Sequence, residues 1–91
     1  MIIKYFFRDR EKLEEHFLEH GEQTNSESAE EYLVRANKVI NNPKVLKKYE
    51  TDEDDNDMVF YLSETGEIVF VSTEGYIRTY FIADDEYFER Q

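Results

Sequence analysis

The stretch Glu74-Gly75-Tyr76-Ile77-Arg78-Thr79-Tyr80-Phe81 decides the fold, because in it a turn leads into a strand whose residues alternate. Successive side chains of a strand face opposite ways, so Ile77, Thr79 and Phe81 are predicted to share one face of a sheet. The other face is then expected to carry Tyr76, Arg78 and Tyr80. The Thr79 hydroxyl would then lie between two apolar neighbours on that face. This favours a position at the edge of the core, next to a functional site. The alternative is a purely structural role, because threonine is a common strand residue.

Two further stretches with a period of two precede this strand. They run from Met58 to Ser63 and from Glu67 to Thr73. Gly66 and Gly75 lie in the intervening turns, where a positive φ is inexpensive for glycine. The pattern predicts an antiparallel strand meander over 58–83. Within its middle strand both faces are apolar, with Ile68 and Phe70 on one side and Val69 and Val71 on the other.

Two helices are predicted before the sheet. Asp9 offers an N-cap for the first, and Gly21 is expected to end it in the left-handed conformation. The apolar face of this helix, at i, i+3, i+4 and i+7, carries Leu13, His16, Phe17 and His20. Ser28 and Glu31 have the capping-box spacing for the second helix, which Asn41-Asn42-Pro43 ends. Its buried stripe is expected to consist of Tyr32, Leu33, Ala36, Val39 and Ile40.

The order of these elements predicts an α+β fold, with two N-terminal helices packed on one face of a mostly antiparallel sheet of three to four strands. At 91 residues the chain suffices for one modest core, so a single domain over 1–91 is expected. Its parts are an arm or short strand over 1–7, a helical part over 8–42, the sheet over 44–83 and a C-terminal tail over 84–91. Lys44 to Glu50 is either a first sheet strand or an irregular link. The tail is expected to form a final helical turn that docks Tyr87 and Phe88.

Composition and charge exclude several classes of protein. The absence of cysteine removes disulfides, thiolate zinc sites and a thiol nucleophile. No apolar run approaches the length of a membrane span and the first residues lack the features of a signal peptide, so a cytoplasmic protein without membrane contact is expected. The net charge is −11, and the whole acidic excess lies after Tyr49. Nucleic acid should therefore be repelled unless a local surface is much more basic than the average.

Metal binding has only partial support in the sequence. His16 and His20 have the i, i+4 spacing that lets two imidazoles share one metal ion. However, Phe17 stands where a metalloprotease helix has glutamate, and the sequence places no third ligand, so no metal or other cofactor is predicted. The alternative for His16 is a core histidine satisfied by a hydrogen bond. The acidic run 51–57 imitates the start of a calcium loop, but Asp57 replaces the required glycine, and a solvated loop is expected.

The side chains that remain suit cleavage of RNA without a metal. This reaction needs a group that titrates near neutral pH to move protons at the ribose 2′-hydroxyl and the leaving 5′ oxygen, and donors that hold the phosphorane charge. His20, at the helix end beside Gly21, is the better placed histidine. Arg78 is the natural phosphate clamp, but strand alternation sends it to the face opposite Thr79 unless a bulge re-aims one of them. Tyr87 lies past the strand, and its alternative role is an aromatic anchor for the tail.

An ordered set of short motifs resembles a known nuclease superfamily. The motifs are His16-x-x-x-His20-Gly21, Ser28-Ala29-Glu30-Glu31-Tyr32-Leu33 with Ala36, Ser63-x-Thr65-Gly66-Glu67, Gly75 to Phe81, and Tyr87 to Gln91. In this set the chain is similar to the phage-associated and polymorphic-toxin nuclease domains of the superfamily that groups barnase, EndoU, colicin D and RelE (BECR). The resemblance implies helices followed by a four-stranded antiparallel sheet and a metal-independent endoribonuclease with RNA, tRNA included, as substrate.

The same resemblance implies a site and a partner. His20 is expected to act as general acid or base, Thr79 to donate a hydrogen bond to the phosphate or transition state, and Tyr87 to complete the set. His16 and Arg78 are expected as further members. An immunity or antitoxin-like protein is the expected partner. The alternative function is a catalytically silent relative whose acidic surface binds a basic protein.

Overall fold

The computed structural model describes residues 4–50 and 56–91, and within them the chain forms three helices and five strands. The helices are α1 (Arg10–His20), α2 (Ala29–Asn41) and α3 (Asp85–Glu89). The strands are β1 (Phe6–Phe7), β2 (Leu46–Tyr49), β3 (Met58–Leu62), β4 (Glu67–Val71) and β5 (Tyr76–Ile82). The predictions for residues 1–3 and for the acidic segment 51–55 lie outside the described residues.

The sheet has the strand order β1-β5-β4-β3-β2. Strands β2 to β5 form an antiparallel meander, so the predicted meander and the α+β class are confirmed, and the segment after Pro43 is a strand rather than an irregular link. The fifth strand, β1, pairs with β5 in parallel, with Phe6 opposite Tyr76 and Phe7 opposite Ile77. The N-terminal arm thus closes the edge of the sheet beside the first half of β5.

Both faces of the sheet are covered. Helices α1 and α2 pack on one face, over a core that consists mainly of Leu13, Tyr32, Ala36, Val39, Ile40, Phe60, Leu62, Val69, Val71, Ile77 and Tyr80. The predicted stripe of α2 is confirmed, with Leu33 only partly buried. The short helix α3 covers the other face, where Tyr87 and Phe88 pack against Val59, Tyr61, Ile68 and Phe70. The prediction that the tail docks its two aromatic residues is therefore confirmed.

A bulge interrupts the alternation of β5. Its pairing with β4 skips one residue, Arg78, because Val71 lies opposite Ile77 while the preceding residue of β4 lies opposite Thr79. An extra residue of this kind shifts the alternation of side chains by one position. Ile77 packs with the core under α1 and α2, so the prediction that it shares a face with Thr79 and Phe81 is wrong.

The helix ends follow their sequence signals with two differences. Asp9 and Ser28 cap α1 and α2 through their side-chain oxygens, but the Glu31 carboxylate accepts from the main-chain N–H of Glu27 rather than of Ser28. Gly21 has φ −59°, so the prediction of a left-handed terminator is wrong. The left-handed residue of this connection is Asn25, with φ 61°. None of the helices in the described part of the chain is long and apolar enough to cross a membrane.

Candidate functional site

A basic pocket lies between α1 and the first residues of β5. It has a volume of about 230 Å³ and is lined by Arg8, Lys12, His16, Tyr76, Ile77 and Arg78. Three of these six residues are cations and a fourth is an imidazole. In a chain of net charge −11 this group of cations is a local departure from the acidic average, although Asp57 partly offsets the charge of Arg78 and Glu15 that of Lys12.

The position of Arg78 in this pocket depends on the bulge and on a buried carboxylate. Its Nε lies 2.7 Å from Oδ2 of Asp57, which is only 3% exposed. The guanidinium carbon is 5.6 Å from the centre of the Tyr76 ring. Asp57 was expected in a solvated loop, and that expectation is wrong because the carboxylate is buried beside the start of β3 and forms an ion pair with Arg78.

His16 lies at the wall of the pocket with its ring half-buried. The ring centre is 5.4 Å from that of Phe7, and the buried Nδ1 has no hydrogen-bond partner among the described residues. A core histidine satisfied by a hydrogen bond is therefore not what the structure shows. Burial, followed by the neighbouring His20, lowers the pKa of His16, whereas Glu19 and Glu15 act in the opposite direction. An imidazole that is neutral near neutral pH can accept a proton.

The N-terminal arm completes the pocket and is held by one side chain of α2. Oδ1 of Asn37 accepts from the main-chain N–H of Tyr5 at 2.7 Å, and its Nδ2 donates to the carbonyl oxygen of Tyr5 at 2.9 Å. Phe7, two residues after Tyr5, is buried against Tyr32 of α2, and the two ring centres are 5.9 Å apart. These contacts hold the backbone on either side of Phe7 and so position Arg8 at the pocket.

His20 and Tyr87 meet at a second place, around the ring of Phe81. The ring centre of His20 is 5.4 Å from that of Phe81, and Tyr87 approaches Phe81 edge-on at 5.6 Å. Thr79 lies two residues before Phe81 on β5, is half-buried, and faces the sheet side that α3 covers. No hydrogen bond joins His20, Thr79 and Tyr87 to one another in the part of the chain that the structure describes.

The two places are adjacent through the histidines of α1. The ring centres of His16 and His20 are 6.2 Å apart with nearly parallel planes. His16 and Arg78, predicted as further members of the site, thus line the basic pocket, while His20, Thr79 and Tyr87 lie around the neighbouring Phe81. His20 also lies close to Glu19, with Nε2 3.8 Å from Oε2.

A larger groove lies along α2, away from these histidines. Its volume is about 340 Å³, and its lining consists of Lys4, Phe6, Leu33, Val34, Asn37, Lys38 and Asn41. This groove is mostly apolar, and none of these seven residues is a histidine.

Sequence reasoning missed four residues of the basic pocket, Arg8, Lys12, Tyr76 and Ile77. A signal existed for Lys12, because it precedes His16 by four residues and so lies on the same face of the helix. No local signal existed for Arg8 and Tyr76, since they meet only because β1 pairs with β5.

Comparison of the sequence with models of known protein families finds no match, and comparison with curated proteins finds no significant match.

Proposed function

We propose that this domain cleaves RNA without a metal ion and that the basic pocket holds the scissile phosphate. The observation that carries the proposal is the pocket itself, in which Arg8, Lys12 and Arg78 surround His16 although the chain as a whole is strongly acidic. Arginine and lysine side chains bind phosphate oxygens, and an imidazole beside them can transfer a proton. The resemblance of the motifs to the BECR superfamily supports the same reaction.

In the proposed reaction His16 accepts the proton of the ribose 2′-hydroxyl while the 2′ oxygen attacks phosphorus. The bond from phosphorus to the 5′ oxygen breaks, and the products are a 2′,3′-cyclic phosphate and a 5′-hydroxyl. His20, whose ring centre is 6.2 Å from that of His16, is the candidate donor of the proton that the 5′ oxygen takes up. Arg78 and Lys12 stabilise the extra negative charge that develops on the phosphorane.

Thr79 and Tyr87 enter the proposal as contacts for the nucleotide beside the scissile bond. Phe81 is half-buried at the edge of the sheet and touches the rings of both His20 and Tyr87. A base stacked on such a ring contributes about 1–3 kcal/mol to binding. A strand that passes from the basic pocket over Phe81 would bring its next nucleotide to the Thr79 side of β5.

The experiment is cleavage of total tRNA in the presence of EDTA, with matched charge variants. His16→Gln is expected to lower the rate by about 100-fold or more, because it removes the proton acceptor. Lys12→Gln is expected to lower it by about 10-fold through loss of one charged contact to phosphate. The control is Lys44→Gln, which removes the same charge from an exposed position beside Glu64 and should leave the rate unchanged.

Three outcomes would contradict the proposal. RNA profiles that are identical with and without the protein would exclude cleavage, and equal rates for Lys12→Gln and Lys44→Gln would exclude the basic pocket as the site. Loss of activity on chelation would contradict the metal-independent reaction. The absence of both cleavage and tRNA binding would instead favour the catalytically silent relative whose acidic surface binds a basic protein.

A further inference from the structure

We propose that His16, Glu19 and His20 form a binding site for a first-row transition-metal ion, with Zn²⁺ as the probe. The three residues are one group on the C-terminal half of α1, which we call the metal triad. The sequence predicted no metal because it placed no third ligand, and Glu19 supplies that ligand. The site does not depend on RNA cleavage.

The spacing of the metal triad puts all three side chains on one face of α1. Residues at i, i+3 and i+4 are neighbours on a helix surface. One ligand-type atom from each residue lies within 4.8 Å of the other two. Bonds of about 2.0–2.2 Å to a tetrahedral ion require ligand atoms about 3.3–3.6 Å apart. The His20 and Glu19 atoms are already 3.8 Å apart, so small side-chain rotations would bring the set into range.

The two imidazoles are held in place before any ion arrives. His16 packs against Phe7 and His20 against Phe81, with ring centres 5.4 Å apart in each case. Little side-chain freedom is therefore lost on binding. The buried Nδ1 of His16 has no hydrogen-bond partner in residues 4–50 and 56–91, so the ring is not committed to another protein group there. Glu19 is 68% exposed, which leaves the ion a path from solvent and room for a water ligand.

Groups of both signs surround the metal triad: Glu19 and the end of α1 favour a cation, whereas Arg8 and Arg78 of the basic pocket oppose one. His20 is the last residue of α1, and the C-terminal end of a helix attracts positive charge. Glu19 brings a full negative charge to the group. Lys12 opposes binding from one turn earlier, but its ammonium lies 3.5 Å from the Glu15 carboxylate, which offsets the repulsion.

The metal triad shares His16 with the basic pocket, and this has a consequence for activity. An ion bound to both imidazoles would occupy the nitrogens that the proposed cleavage of RNA uses for proton transfer. The ion would therefore act as an inhibitor rather than as a cofactor. This consequence, unlike the site itself, rests on the proposed function.

The experiment is calorimetric titration of the full chain with Zn²⁺ at neutral pH, without phosphate or chelator. One ion per chain is expected. His20→Gln should weaken binding by about 100-fold or more and Glu19→Gln by about 10-fold, at or above the effect of losing an outer-shell partner of a metal ligand. The control is Glu11→Gln, which makes the same charge change on the same helix more than a turn away and should alter the affinity less than about 2-fold.

The alternative is loose association of Zn²⁺ with the acidic surface. It would appear as affinity that is unchanged by His20→Gln, or reduced equally by Glu19→Gln and Glu11→Gln, and either result would overturn the proposal, as would the absence of binding. Glu19 is exposed, so its variant tests the site even if a histidine variant fails to fold, which circular dichroism would reveal. Because the titration contains no RNA, failure of the metal site and failure of the proposed nuclease remain distinguishable.

Discussion

Gly21 ends α1 for a reason that its position in the sequence does not reveal. Its φ is −59°, a conformation open to any residue, so backbone freedom is not what requires glycine there. A Cβ on Gly21 would lie 2.5 Å from the carbonyl oxygen of Phe17 and 2.7 Å from its ring. The missing side chain therefore allows Phe17 to pack closely against the end of the helix.

We expect Gly21→Ala to destabilise the domain by about 1–3 kcal/mol, because the crowded Phe17 backbone has to shift. Alanine is the better helix former by about 1 kcal/mol, so a gain in stability is the result expected if the close contact had no effect. The measurement is urea unfolding followed by circular dichroism. Glu22→Ala, at the adjacent exposed position, is the control, and a Gly21→Ala variant as stable as the wild type would contradict the steric account.

The burial of Asp57 could not be predicted from the residue and its neighbours in the sequence. It ends an acidic run in which no local feature separates it from its neighbours, yet it is buried and paired with Arg78. The pairing exists because β3 begins directly after Asp57 and β5 bulges at Arg78. Both features arise from how the strands pair in the sheet, and the sequence around Asp57 does not reveal that pairing.

At the scale of elements, the sequence predicted those helices and strands that depend on residues close together in the chain. The meander followed from the alternation of apolar residues and from Gly66 and Gly75, both of which have positive φ. The α2 stripe followed from helical periodicity. The parallel pairing of β1 with β5 joins segments about seventy residues apart, and no periodic pattern in the sequence indicates it. The meeting of His16 with Arg78 depends on that pairing and on the bulge, so the sequence could name both residues but not bring them together.

The N-terminal arm offers a test of this non-local element. Asn37→Ala removes both hydrogen bonds to Tyr5 and is expected to destabilise the domain by about 1–3 kcal/mol, since partly buried main-chain groups lose their partners. Asn37→Asp keeps the acceptor for the Tyr5 N–H but puts a carboxylate oxygen where Nδ2 donates to the Tyr5 and Leu33 carbonyl oxygens, so it should be at least as destabilising as Asn37→Ala. Amide hydrogen exchange of residues 5–8 is the measurement. Exchange that is equally slow in all three proteins would show that Asn37 does not hold the arm.

For the whole molecule, buried tyrosine hydroxyls join elements that are distant along the chain. Tyr32 on α2 donates to the carbonyl oxygen of Tyr80, whose own hydroxyl donates to the Glu67 carboxylate. On the other face Tyr61 donates to Oδ1 of Asp85 at 2.7 Å and so ties α3 to β3. Burial raises the pKa of all three hydroxyls, and in Tyr61 burial together with the Asp85 carboxylate raises it to about 12.

Raised tyrosine pKa values predict that the domain loses stability in alkali. The unfolded chain releases these protons near pH 10, whereas the folded chain keeps them, so the free energy of unfolding is fully retained below about pH 10 and falls as the pH rises toward 12. Each tyrosine contributes at most about 1.4 kcal/mol per pH unit to this fall.

Urea unfolding at a series of alkaline pH values measures the slope, and tyrosinate absorbance reports the ionisation. Tyr61→Phe should reduce the slope by up to one proton, whereas Tyr49→Phe, at a position that is 56% exposed, should leave it as in wild type. Equal slopes in wild type and Tyr61→Phe would mean that the proton on the Tyr61 hydroxyl does not contribute to holding α3 on the sheet.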